Sequence, residues 1–199
     1  MTVEERLAAL RERPVNYDVD AFDPDDPSWR EDDYCQPLGS EPPGPPLPDG
    51  TFALACRLLR DYRFADPSIV RAHYDVDAPL EGRDMLLELR FHGIRLWSGC
   101  RVGAVVDEER VSDGRPLHVW GWPYRTLAGH IEQGEMSWEV WKWMDTGEVE
   151  FHIHSFSRVA RDANPILALG FRVVGQRERR RYLSRACARM LELTRAEGA

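Results

Sequence analysis

The chain has 199 residues, of which 43% are hydrophobic, and its formal net charge is −8 at pH 7. This length fits one domain with a core of ordinary size. The negative charge argues against a nucleic-acid partner or an anionic membrane surface, and no apolar run reaches the roughly 18 residues of a membrane-spanning helix.

The cysteines indicate the cellular compartment. All four are far apart in the sequence, and their spacing is not typical of a metal site: Cys35, Cys56, Cys100 and Cys187. We expect buried free thiols in a reducing cytoplasm, and we expect no metal and no other cofactor. The charged N-terminus lacks the apolar stretch of a secretory signal peptide, which also favours a cytoplasmic protein. The sequence leaves the oligomeric state open.

The first fifty residues differ in composition from the rest. A short helix is predicted at 3–13, and the acidic segment 14–50 contains Pro and Gly at a density that favours an extended, irregular path. Aromatic residues recur through this segment: Tyr17, Phe22, Trp29 and Tyr34. A disordered tail usually contains fewer of them, so we expect residues 1–50 to form an acidic, Pro-rich N-terminal arm laid over a single α+β domain at 51–199.

Residues 51–199 show helical and strand periodicity in turn. A helix is predicted at 52–62, and six later segments read as strands, at 68–75, 85–91, 94–107, 117–124, 136–144 and 149–157. A long helix is predicted from Asn164-Pro165 to about residue 195. The predicted fold is α+β, with a curved antiparallel sheet of about six strands packed on the C-terminal helix, the helix-grip arrangement.

The segment YRTLAGHIEQGE resembles the central motif of the family called "domain of unknown function 1990". In that motif an aromatic residue precedes Thr-Leu-x-Gly-His, and Gly-Glu and a strand follow after a short gap. The matching residues here are Tyr124, Thr126, Leu127, Gly129, His130, Gly134 and Glu135. The family pattern is also matched by Val105–Arg110, Phe156–Arg158 and Arg181–Leu183.

The resemblance covers about residues 50–195 and implies, by analogy, a START-like, ligand-binding fold. Members of the family occur in bacteria and plants. The family has no established activity, so the resemblance implies no reaction. The chain departs from the family pattern at Val159, where Pro is usual, at His152 and His154, and in its acidic arm.

Two histidine arrangements are candidate sites. In the first, His130 and Glu135 lie in a Gly-bounded connector, where the pair could perform acid–base catalysis and Arg125 could bind an anionic or carbonyl group. The same residues could instead fix the backbone of a structural turn. In the second, His152 and His154 project from one face of a strand with Glu150 beside them, and two imidazoles and a carboxylate can bind zinc or iron. Since spacing fixes no third ligand, we predict that this pair holds no metal and faces solvent or lines a cavity.

The tryptophans suggest where a ligand would bind. Six of the seven fall between residues 97 and 143, and Trp138 projects opposite to Trp141 and Trp143. One set could line a cavity between sheet and C-terminal helix that accepts an apolar ligand; core packing and packing against the arm are the alternatives. The predicted ligand-binding residues are Trp122, Tyr124, Arg125, Thr126, His130, Glu135, His152 and His154.

These observations lead to three hypotheses of function. The first, our main prediction, is a non-enzymatic module that binds a small apolar ligand in the sheet–helix cavity. The second is a cyclase- or hydrolase-like enzyme with His130 and Glu135 as its acid–base pair. The third is a protein-interaction domain that uses the acidic arm and the basic run at Arg177–Arg181.

Overall fold

A computed structural model of the protein describes residues 1–19, 22–23, 25–91, 93–160 and 175–198. Within these residues the chain forms eight strands and three helices. The strands are β1 (Arg30–Ser40), β2 (Val70–His73), β3 (Asp84–Phe91), β4 (Ile94–Val102), β5 (Val106–Ser112), β6 (Arg115–Thr126), β7 (Glu132–Trp143) and β8 (Glu148–Val159). The helices are α1 (Val3–Ala8), α2 (Thr51–Arg60) and α3 (Gln176–Glu197).

All eight strands join one antiparallel sheet. Its order is β1-β8-β7-β6-β4-β3-β2, and β5 pairs with the first part of β6 while β4 pairs with its end. Helix α3 packs on β1 and β8, and α2 packs on β6, β7 and α3. This arrangement confirms the predicted α+β fold, a curved antiparallel sheet on a long C-terminal helix. We call the face covered by α2 and α3 the inner face, and the opposite face the outer face.

The main core lies between the inner face and the two helices. Alternate residues of each strand point into it, so that Phe151 and Ile153 of β8 are buried whereas His152 and His154 are not. The part of α3 that packs against the sheet contributes Tyr182, Leu183, Ala186, Cys187 and Met190. The inward-pointing residues of the strands and the apolar face of α3 therefore form one apolar layer.

The sheet has two more strands than the roughly six predicted. Strand β1 lies in the segment predicted to be irregular, and that prediction is wrong for Arg30–Ser40. It is an edge strand, and the register shifts beside Pro37, where a proline is tolerated in a sheet. The strand predicted at 94–107 is interrupted near Gly103, whose backbone N–H donates a hydrogen bond of 2.8 Å to the Pro123 carbonyl. Its two halves, β4 and β5, pair with different parts of β6.

Helix α2 begins and ends within two residues of its predicted bounds, and α3 ends within two residues of its predicted end. Helix α1 ends at Ala8 and not at residue 13, because the chain then turns to place Leu10 on the outer face against Gly99, where any Cβ would clash with it. The predicted start of the C-terminal helix, at Asn164, lies outside the described residues, which resume at Gly175. No helix within the described ranges is long and apolar enough to cross a membrane.

A buried ion pair fastens the Pro-rich end of the arm to the sheet. Lys142, the only lysine in the chain, donates a hydrogen bond of 2.8 Å to Glu41, and the two side chains are 0% and 3% exposed. Glu41 also accepts a bond of 2.6 Å from the backbone N–H of Phe52 in α2. Burial alone would raise the pKa of Glu41, but the bonds from Lys142 and the backbone lower it.

Candidate functional site

The predicted ligand-binding residues fall on both faces of the sheet. Those on the inner face are Trp122 and Tyr124. Those on the outer face are Arg125, Glu135, His152 and His154. Thr126 ends β6, and His130 lies in the connector that follows it. Because the sheet separates the first two sets, one small ligand cannot contact both.

Two tryptophans form the centre of the inner face. Trp122 and Trp138 lie opposite one another in the β6–β7 ladder and are 1% and 0% exposed. None of the described residues accepts a hydrogen bond from either indole N–H. An unpaired buried donor costs about 1–3 kcal/mol, so two such donors on facing residues require an explanation.

Tyrosines surround these indoles. The hydroxyls of Tyr62, just after α2, and Tyr182, in α3, share a hydrogen bond of 2.8 Å. The Tyr62 ring centroid lies 6.2 Å from that of Trp122 and 6.4 Å from that of Trp138, and Tyr124 lies 6.0 Å from Trp138. Burial raises the pKa of all three tyrosines. The side chains that surround the two indoles are therefore aromatic and uncharged.

A buried network around Arg179 of α3 connects the helix to the sheet. Its guanidinium donates hydrogen bonds of 2.7 Å to Asp32, 2.7 Å to Ser155 and 3.1 Å to Glu132. Burial alone would lower the pKa of Arg179, but the carboxylates of Glu132 and Asp32 raise it. The cation is thus fully engaged in tying α3 to β1, β7 and β8.

His130 lies in the connector 127–131, beside this network. Its side chain is buried, and Nδ1 lies 3.0 Å from the backbone N–H of Glu132, from which it accepts a hydrogen bond. Burial lowers the pKa of His130, although the Glu132 carboxylate opposes this shift. The neutral imidazole therefore stabilises the connector, which fits the alternative of a structural turn.

Glu135 does not lie in the connector. Strand β7 begins at Glu132 and not at the predicted residue 136, because Gly134 lets β7 approach β8 closely. The φ of Gly134 is +150°, and a Cβ there would clash with the carbonyl of Phe156. The motif glycine thus extends the strand, where the sequence predicted that it would bound a connector.

The structure does not assemble the predicted acid–base pair. Glu135 accepts hydrogen bonds of 2.7 Å from Arg125 and 3.1 Å from the Tyr17 hydroxyl, on the outer face. Among the hydrogen bonds of the described residues, none joins His130 to Glu135. Arg125 is engaged by Glu135, so the two residues anchor the arm to β6 and β7.

The N-terminal arm lies along this part of the outer face. The Thr126 hydroxyl donates a hydrogen bond of 2.6 Å to the Asn16 side chain and accepts one of 2.9 Å from the Gly134 N–H. Three aromatic rings of the arm pack on Phe156 of β8: those of Tyr17, Phe22 and Trp29. These three aromatic residues therefore hold this part of the arm against the sheet.

Where β1 pairs with β8, the outer face carries polar side chains. His154 Nδ1 lies 2.7 Å from Asp33, and His152 Nε2 lies 3.0 Å from Glu150 and 3.6 Å from Cys35 Sγ. Both histidines point away from the core, which confirms that part of the sequence prediction. A pocket of about 470 Å³ opens here, lined by Asp33, Tyr34, Cys35, Ser137, Glu139, Trp141, His152, Ile153 and His154.

Sequence analysis missed two residues of these sites: Cys35 and Arg179. All four cysteines are free, but Cys35 is exposed, which corrects the expectation of buried thiols. Its position on the outer side of an edge strand is the reason. Arg179 lies within a basic run for which the sequence predicts a solvated helix face paired with the acidic arm; the Arg179 side chain is almost fully buried, although it does bind Asp32 of the arm. The available signal was that Tyr182 and Leu183 follow it at helical spacing, on the buried face of α3.

Residues 16–185 match the family described as "Domain of unknown function (DUF1990)". The chain belongs to this family. The match contains the motif at Tyr124–Glu135, and it begins well before residue 50, within the arm. This start agrees with the membership of β1 in the sheet. No curated protein matches the chain.

Several solved structures are similar to the chain at low sequence identity. A Thalictrum flavum norcoclaurine synthase point mutant with a transition-state analogue is 10% identical, with a TM-score of 0.48 over 86% of this chain and 96% of that one. The protein TTHA0849 from Thermus thermophilus is 11% identical, with a TM-score of 0.47 over 84% and 97%. The Zhui aromatase/cyclase from Streptomyces sp. R1128 is 14% identical, with a TM-score of 0.42 over 85% and 93%. Likeness at this level says nothing about a ligand or a reaction.

Proposed function

We propose that the protein binds a small, largely apolar ligand between the inner face of the sheet and α3, without catalysing a reaction. The observation that supports this function is the pair of buried, unpaired indole N–H groups of Trp122 and Trp138. A ligand atom that accepts from them would remove a cost of about 1–3 kcal/mol per donor. The surrounding aromatic rings would bind the apolar body of the ligand.

The facing position of these two donors distinguishes them from other unpaired groups. Within the described ranges, the other buried side-chain donors without an acceptor are Trp29 Nε1 and Arg83 Nε. Trp29 belongs to the arm and Arg83 precedes β3, so each is a single donor. Trp122 and Trp138 are cross-strand partners on the inner face, and each has an unpaired N–H group.

The charges around the interior favour a neutral ligand. The tyrosines stay protonated because burial raises their pKa values, and Arg179 is already engaged by Asp32 and Glu132. A charged ligand would lose its hydration without gaining an ion pair with these groups. The ligand class is therefore an aromatic or polycyclic molecule with one or two neutral acceptor oxygens, as in a ketone or an ether.

A cytoplasmic location is part of the proposal. All four cysteines are free, and the exposed thiol of Cys35 would be open to oxidation in an oxidising compartment. Fractionation of the producing cells, with detection of the full chain, checks the location.

Two naphthalenes that differ in one acceptor test the ligand site. The ketone of 2-acetylnaphthalene can accept a hydrogen bond, whereas 2-ethylnaphthalene has no acceptor. In calorimetric titrations of the full chain, we expect the ketone to bind about tenfold more tightly, the value of one hydrogen bond. In the double variant Trp122→Phe/Trp138→Phe, both compounds should bind with equal affinity.

The variant Trp143→Phe is the matched control. It removes one indole N–H from the same sheet, but this group donates a hydrogen bond of 2.9 Å to Glu150 on the outer face. It should keep the tenfold preference for the ketone. If neither compound binds, or if the double variant retains the preference, the proposed function is wrong.

A further inference from the structure

Three side chains that can bind a metal converge on the outer face, where β1 pairs with β8. Cys35 Sγ lies 3.6 Å from His152 Nε2, which lies 3.0 Å from Glu150 Oε2. Ligand atoms of all three residues lie within 4.8 Å of one another. Cys35 and His152 are directly opposite in the β1–β8 ladder, and Glu150 lies two residues away on the same face. Two paired strands therefore hold the three groups in place.

The distances resemble those of a tetrahedral zinc site. Zn–S and Zn–N bonds of about 2.3 Å and about 2.05 Å, at tetrahedral angles, place sulfur and nitrogen about 3.6 Å apart. The distance from Cys35 Sγ to His152 Nε2 is 3.6 Å. The corresponding nitrogen–oxygen distance is about 3.4 Å, so the Glu150 carboxylate would move a few tenths of an ångström away from His152.

Two tryptophans orient these side chains. The Trp141 ring stacks on the His152 imidazole, with centroids 3.9 Å apart and planes inclined by 18°. The Trp143 indole donates a hydrogen bond of 2.9 Å to Glu150 Oε2. Groups that fix a ligating side chain from behind raise its affinity for metal, because less freedom is lost when the ion binds.

The outer-face pocket provides access to two of the three groups. Cys35 and His152 both line this pocket, which has a volume of about 470 Å³. An ion with three protein ligands would have a fourth position for water or another small ligand. An entry path of this kind is one of the requirements of a metal site that fills after folding.

We propose that Cys35, Glu150 and His152 bind a zinc-type divalent transition-metal ion with an open fourth position. Thiolate and imidazole ligands favour such ions over Mg²⁺ and Ca²⁺, which prefer oxygen ligands alone. The site departs from the expectation of no metal, which considered His152 and His154 with Glu150 beside them but not Cys35. It also lies on the opposite face of the sheet from the proposed ligand site, so either proposal can fail without the other.

A neighbouring set of residues supplies the control. Glu31, Asp33 and His154 also lie close enough together to surround an ion. All three are exposed, however, and the set contains no thiol. We assign no metal to these residues, and His154→Gln changes the same outer face without touching the proposed ligands.

Cobalt(II) reports directly on the ligand set, because a cobalt–thiolate bond produces a charge-transfer band that oxygen and nitrogen ligands do not. We expect one Co²⁺ per full-length chain in reducing buffer, with this band, and displacement by one equivalent of Zn²⁺. Cys35→Ser should abolish the band. Cys35→Ser, His152→Gln and Glu150→Gln should each weaken Zn²⁺ binding by about tenfold or more, whereas His154→Gln should not change it.

Thermal melts of the metal-free variants show whether each one is folded, and all four replacements are polar residues on the outer face. The absence of stoichiometric binding to the folded wild type would overturn the proposal. A charge-transfer band that survives in Cys35→Ser would overturn it too, because another thiol would then be the ligand. Loss of binding in His154→Gln would indicate that His152 and His154 together bind the ion. That result would also contradict the assignment.

Discussion

The same strands build both faces of the sheet, but the tryptophans of the two faces differ in whether their indole N–H groups have an acceptor. In β7, the outward-pointing Trp141 donates a hydrogen bond of 2.6 Å to Glu139, and Trp143 donates one of 2.9 Å to Glu150. The inward-pointing Trp138 has no acceptor among the described residues, although it is more deeply buried. In β7, the outward-pointing indoles thus find acceptors within the fold, whereas the inward-pointing indole keeps a donor that a ligand can use.

The same difference extends to charge. Each face of β7 carries one side of an ion pair: Lys142 binds Glu41 on the inner face, and Glu135 binds Arg125 on the outer face. In the first pair, Lys142 and Glu41 are 0% and 3% exposed, whereas Arg125 and Glu135 are 40% and 16% exposed. Water can replace a lost partner only in the second pair. Removing one residue of the inner pair should therefore cost more stability than removing one residue of the outer pair.

The largest effect should follow from Lys142→Ala. This change leaves Glu41 buried without its cation, and breaking a buried ion pair typically costs about 3–5 kcal/mol. The control Arg125→Ala breaks the outer pair and should cost about 1 kcal/mol or less. Urea unfolding of both variants measures the difference. Equal losses in the two variants would show that burial does not distinguish the faces.

A smaller effect should follow from His130→Ala. The change removes the acceptor of the Glu132 backbone N–H, so the free energy of unfolding should fall by about 1–3 kcal/mol at pH 8. Binding of the naphthalene ketone should persist in the folded variant, because His130 belongs to the connector. A variant with wild-type stability and no binding would instead make His130 part of the ligand site.

The loss should also depend on pH. Burial lowers the pKa of His130 below its ordinary value of 6.5, and Glu132 and Arg179 are the charged groups beside it. A group with a lowered cationic pKa stabilises the fold above its unfolded pKa, and this contribution is lost as pH falls through about 6.5 and the lower folded value. The advantage of wild type over His130→Ala should therefore shrink as the pH is lowered from about 8. A constant difference would contradict burial of the imidazole.

Local pattern was enough to predict much of the fold. Alternation in β8 predicted that His152 and His154 project from one face of the strand, and they do, because the strand period is a property of adjacent residues. Strand β1 was missed for the opposite reason. Its polar residues and Pro37 give no apolar alternation, and only its pairing with β8 makes it a strand.

The candidate sites depend on long-range pairing, which no local pattern encodes. Cys35 meets His152 across 117 residues of chain, and Glu41 meets Lys142 across 101. Sequence analysis assigned Glu135 to the connector because glycine usually weakens a strand, whereas Gly134 here allows close approach of β8. The sequence was therefore enough to identify candidate site residues, but it could not predict which of them lie together on one face of the sheet.

The smallest predicted effect concerns the arm that covers one end of the outer face. The Tyr17 hydroxyl donates a hydrogen bond of 3.1 Å to Glu135, and its ring packs on Trp29 and Phe156. Tyr17→Phe keeps the ring contacts and removes one hydrogen bond, so the arm should open about fivefold more often, or about 1 kcal/mol. The rate of tryptic cleavage after Arg11 and Arg30, under conditions where reclosing is fast, measures this opening.

The control for the arm removes a similar hydrogen bond from another part of the molecule. In Tyr74→Phe, the lost bond is the one of 2.9 Å from the hydroxyl to the Asp61 carbonyl, which lies away from the arm. This variant should lose a similar amount of global stability, yet cleavage after Arg11 and Arg30 should stay at the wild-type rate. If both variants accelerate cleavage equally, the arm opens only when the whole domain unfolds. The arm on the outer face would then unfold together with the rest of the domain, and the two faces would differ only in how their polar groups are paired.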